Sequence, residues 1–94
     1  MADSTVYSKI ATLIVRAQFN VIGPLAFDQA KQVEGVVIGT ENSVVVQANG
    51  KETVEKLVKQ FERLFGQASL EVCKDAVREL HIVIPRDFLP EILK

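Results

Sequence analysis

Among its 94 residues the chain has no tryptophan, one tyrosine, one cysteine and one histidine, and its charges nearly cancel. Each scarcity excludes something. With Cys73 alone, no intramolecular disulfide can form, and small secreted domains normally carry several cysteines. His81 has no second histidine or cysteine at ligand spacing, so there is no zinc or haem motif, and no metal or cofactor is expected. Eleven basic residues are interleaved with twelve acidic ones for a net charge of −1. Nucleic-acid binding needs a clustered positive field, so nucleic acid is not an expected partner. The longest helical apolar stretch, Ala11 to Val15, stops at Arg16, whereas a membrane span needs roughly 20 apolar residues. The opening Met1-Ala2-Asp3-Ser4 lacks the basic and apolar regions of a signal peptide. The expected location is the cytoplasm, with no membrane contact.

Plenty of apolar material is present: residues of the set AVILMFWYC make up 48% of the chain. Without tryptophan, the core must come from Val, Leu, Ile, Ala and five Phe. A domain of this length hides only about 60–65% of its unfolded surface, so that core is thin. The length fits one compact domain over 1–94, with residues 85–94 as a docked C-terminal tail.

Periodicity sets out the elements. Asp3 or Ser4 can cap a first helix, whose apolar stripe runs through Val6, Ile10, Leu13, Ile14 and Ala17. Phe19-Asn20-Val21 weakens it and Gly23-Pro24 breaks or kinks it. A short second helix is expected through Leu25, Ala26, Phe27, Ala30 and Val33; one long kinked helix is the alternative. Val36-Val37-Ile38-Gly39 and Ser43-Val44-Val45-Val46-Gln47 are β-branched and flank polar Thr40-Glu41-Asn42, which reads as an antiparallel hairpin. Asn49 with Glu52 forms an N-x-x-E capping box for a helix carrying Val54, Leu57, Val58, Phe61, Leu64 and Phe65. Glu52/Lys56 and Glu55/Lys59 have the favourable i,i+4 order, and Gly66 stands where a C-terminal cap belongs. Ser69 can cap a fourth helix with Cys73, Ala76, Val77 and Leu80 inside. His81 to Ile84 fits the end of that helix or a short strand, and Pro85 stops any helix. The fold class is α+β, with helices packed on a small hairpin sheet in the order α-α-β-β-α-α.

The hairpin is the feature that points outward. A sheet with one wet face should alternate apolar and polar residues, but these runs are continuously apolar. A two-stranded sheet is marginal alone in water and leaves two open edges. Self-association resolves both problems, with hairpins pairing edge to edge or face to face in a twofold dimer. The expected interface residues are Val37, Val44, Val45 and Val46, with Phe88 and Leu89 of the apolar tail. The blander resolution is that helices and tail bury the hairpin within one chain.

No catalytic constellation accompanies this. Cys73 lies on an inner helix face with no base beside it, so core packing is the expectation. Gly50-Lys51-Glu52-Thr53 opens a helix after a strand, yet it lacks the first glycine of a phosphate loop, and Glu52 opposes an anion. Glu71, Asp75 and Glu79 share a helix face with Lys74 and Arg78 alongside, a solvated strip. Arg16, Phe27 and Asp28 are the candidates for a small-ligand pocket between helices and hairpin.

The order of helix, Val33-Glu34-Gly35-Val36-Val37 hairpin and amphipathic helix over residues 5–65 is loosely similar to the start of the roadblock and dynein light chain family. That family continues with further strands, whereas here the helical pattern Ser69 to Leu80 follows. No residue role is carried over and no family is assigned. The expected function is a small non-catalytic interaction or regulatory module acting as a homodimer, with an unidentified protein as the further candidate partner. The alternative is a small-ligand sensor or carrier.

Overall fold

A computed structural model describes residues 2–39, 43–47 and 49–78. The elements are α1 (Ala2–Ile22), α2 (Leu25–Lys31), β1 (Val36–Ile38), β2 (Val44–Val46), α3 (Gly50–Phe65) and α4 (Gln67–Arg78). This is the α-α-β-β-α-α order, an α+β fold with helices packed on a two-stranded antiparallel sheet. Expectations for the loop Thr40 to Asn42, for Glu79, Leu80 and His81 to Ile84, and for the tail with Phe88 and Leu89 fall outside the described residues.

α1 is the central strut, touching β2, α2, α3 and α4. Its buried positions are Tyr7, Ile10, Ala11, Ile14, Val15 and Gln18, a wide face that repeats every three or four residues. Compared with the stripe expected from hydropathy, this face is rotated toward Ala11, Val15 and Gln18, leaving Leu13 and Ala17 only half-buried. Phe19 to Val21 do not end the helix; it runs on to Ile22. Gly23 ends it at φ 74°, a left-handed conformation in which a side chain would be strained, and its N–H donates to the Phe19 carbonyl at 2.8 Å. Pro24 then occupies the N-cap position of a separate α2.

α3 begins without the expected capping box. Asn49 is left-handed (φ 47°, ψ 56°) and makes no side-chain cap bond. An N-cap side chain reaches the first N–H groups from the β region, which this conformation leaves. Tertiary packing is the competing demand: a Cβ on Gly50 would overlap the Tyr7 ring of α1. Glu52 instead pairs with Lys56 at 3.5 Å, and Glu55 with Lys59 at 3.6 Å. The inner stripe Val54, Leu57, Val58 and Phe61 is buried as expected, with Thr53 beside it, while Leu64 stays exposed.

Gly66, at φ 85°, ends α3, and α4 starts at the next residue. Ser69 is therefore not its cap. It lies inside the helix, buried against α1, because the glycine turn lets the chain re-enter a helix at once. Leu70, Cys73 and Val77 complete a core shared with Val36, Val44 and Val46 from the sheet.

Candidate functional site: the hairpin and the groove beside it

Strand register decides which valines can meet a partner. Val36 pairs with Val46, Val37 with Val45 and Ile38 with Val44. Successive side chains alternate faces, so Val36, Val44 and Val46 point into the core at 8%, 1% and 2% exposure. Val37 and Val45 point out together and are 41% and 42% exposed. Of the expected interface residues, Val44 and Val46 thus have no surface to offer, because period-two alternation commits them to the inner face. The apolar runs do mark two apolar faces; within the described residues only one is buried.

The two edges of the sheet differ. Gly39 N–H donates to the Ser43 carbonyl at 2.7 Å, and Gln47 N–H to the Gly35 carbonyl at 2.9 Å. The alternation of an antiparallel ladder then turns the backbone groups of Val36, Ile38, Val44 and Val46 outward. Along β2 these groups are met by α1. Val44 N–H donates to Thr12 Oγ1 at 3.1 Å and Val46 N–H to Ser8 Oγ at 2.9 Å. The Thr12 hydroxyl has two carbonyl acceptors for its one proton, Ser8 at 2.8 Å and Val44 at 3.0 Å. Ser8 and Thr12 are one helical turn apart and substitute for a third strand. Along β1, Val36 N–H donates to the Val33 carbonyl at 3.1 Å, and no further strand pairs there among the described residues.

A groove of about 460 Å³ runs between α1 and β2. Lys9, Leu13 and Arg16 form its helical wall, and Val44 and Val45 its strand wall; Ser8, Thr12 and Ser43 line the floor and ends. Lys9 and Arg16 are exposed, and among the described residues neither forms an ion pair. Of the three expected pocket residues, only Arg16 is here. Phe27 packs on Phe19 with ring centroids 5.4 Å apart, and Asp28 is exposed in the first turn of α2. Neither lines this groove; both stand on α2, which Gly23 and Pro24 set off from α1. A second, smaller dip of about 260 Å³ lies among Lys56, Lys59, Gln60 and Arg63 on α3, where both lysines are already paired with glutamates.

A buried polar contact ties α1 to α4. Gln18, fully buried, donates through Nε2 to the Ser69 carbonyl at 3.0 Å and to Cys73 Sγ at 3.3 Å, while Ser69 Oγ lies 3.5 Å from Gln18 Oε1. Burial pushes the Cys73 thiol up from 9.0 to about 11; the Gln18 bond works against this and the charge of Glu62 adds to it. The thiol is protonated at neutral pH, which removes it as a nucleophile. Among the described residues, no group of three or more His, Cys, Asp or Glu is placed to hold a metal ion. None of their helices is long and apolar enough to cross a membrane.

Hydropathy did not single out Ser8, Lys9, Thr12 or Gln18. Their signal is the polar pair Ser8/Thr12 at i,i+4 inside a helix, where hydroxyl residues are not favoured unless their side chains bond elsewhere. No known protein family, curated protein or solved structure matches this chain.

Proposed function

We propose that the protein is a small cytoplasmic, non-catalytic interaction module that works as a homodimer joined through β1. The observation that carries this reading is the inequality of the hairpin's edges. Three outward groups of β2, Val44 N–H and C=O and Val46 N–H, are bonded by Thr12 and Ser8, whereas β1 has no further strand beside it among the described residues. Pairing β1 with β1 of a second copy, about a twofold axis, makes one four-stranded sheet from two marginal hairpins. It also extends the apolar outer face, bringing Val37 of one copy beside Val37 of the other. Face-to-face packing is disfavoured, because Lys9 and Arg16 flank Val45 and two copies would bring like charges together.

Native mass in solution, by light scattering coupled to size exclusion over a dilution series, tests this. The expected result is a dimer that Val37→Lys converts to a monomer while the helical circular dichroism persists. Val45→Lys, one strand further from the joint, should weaken the dimer less. A monomer at every concentration would sink the proposal.

A further inference from the structure

We infer that the groove between α1 and β2 binds an amphiphilic organic dianion, an apolar chain with a carboxylate at each end. Lys9 and Arg16 are seven residues apart, so they stand on one helix face with roughly 10 Å of axis between them. Neither is engaged by a carboxylate among the described residues. Half-buried Leu13 lies between them, and exposed Val45 stands on the strand side of the groove, so the two charges bracket an apolar middle. Ser8 and Thr12 spend their hydroxyls on the β2 backbone, which holds the strand wall in place rather than adding ligand donors. The volume of about 460 Å³ lies in the small-ligand range. A purely apolar ligand would cover the groove and leave both cations without a counter-charge from the described residues. A monocarboxylate would satisfy one. A polyanion finds two cations here among the described residues, on a chain of net charge −1. The inference does not depend on dimerisation, because the groove lies on the β2 side of the sheet and the proposed joint is on the β1 side.

Decanedioate is a suitable probe, since its extended chain matches the spacing of the two cations. Titrated at low salt into the full-length protein labelled with ¹⁵N, it should shift amide resonances of residues 8–16 and 43–45 in a saturable way. Decanoate should bind severalfold more weakly, as should decanedioate at high salt, because the cations are exposed and screened. The double variant Lys9→Gln/Arg16→Gln should lose about tenfold in affinity while keeping the wild-type melting temperature, since both side chains are on the surface. The inference is overturned if no saturable shift appears at millimolar ligand. It is equally overturned if decanoate binds as well as decanedioate, or if the double variant binds unchanged.

Discussion

The two strands of the hairpin have nearly the same composition and opposite fates at their edges. β2 lies against α1, and two helix hydroxyls bond its outward Val44 N–H, Val44 C=O and Val46 N–H. Among the described residues β1 has one such bond, made by its first residue to the turn that precedes it. A sheet edge can therefore be closed without a strand, provided a helix passes alongside with hydroxyls one turn apart. Among the described residues, β2 then has its edge closed beside a basic groove, and β1 has no further strand at its edge, next to the exposed Val37 and Val45. The ligand proposal rests on the first and the dimer proposal on the second.

The contrast can be broken first at the faces. Val46→Asp places an unpaired carboxylate in the core and should cost on the order of 4 kcal/mol or more, enough to unfold a marginal domain. Val45→Asp, its neighbour on the outer face, should stay within about 0.5 kcal/mol of wild type in the monomer. Urea denaturation compares the two, and equal losses would mean that the faces are not distinct.

A smaller effect is expected at the closed edge. Thr12→Val keeps the shape but strips the partner from both Val44 N–H and Val44 C=O, at a cost of about 2 kcal/mol. Ser8→Ala removes one bond and should cost about half as much. If water replaces the hydroxyls without loss, both variants will melt with wild type. Hydrogen exchange at Val44 and Val46 would then show whether the edge has opened.

The smallest effect belongs to a polar contact closed on every side, which calibrates the partly closed one. The folded Cys73 thiol titrates near 11 and the unfolded one near 9.0. Its stabilising contribution is complete below pH 9 and falls as pH rises toward 11, because the unfolded chain releases its proton first. Between pH 8 and pH 10 wild type should lose about 1 kcal/mol more stability than Cys73→Ala, read from paired thermal melts. Parallel curves for the two proteins would mean that the thiol is not sequestered.

Much of this architecture was legible in hydropathy and local chemistry. The α3 stripe, the Gly66 stop, the Gly23-Pro24 break and the strand positions follow from short-range rules, because each depends on neighbours within a turn or two. Missing from that reading were the rotation of α1, the polar role of Gln18, and Ser8 and Thr12 as edge partners. These pairings span 32 to 55 residues along the chain, and hydropathy scores a bonded hydroxyl and a solvated one alike. The capping box failed for a related reason: packing of Gly50 on Tyr7 outweighed a local cap worth about 1 kcal/mol.

By itself the amino-acid order determined the kinds of element, their order and the apolar character of both hairpin faces, since these come from backbone propensity and periodicity. Only the tertiary structure decided which hairpin face is buried, which edge is closed, and that Arg16 shares a groove with Lys9 rather than with Phe27 and Asp28. Alternation along a strand divides its residues into two sets, but three consecutive valines do not say which set meets the helix. That choice is made where α1 lies down along β2 and its hydroxyls find the strand.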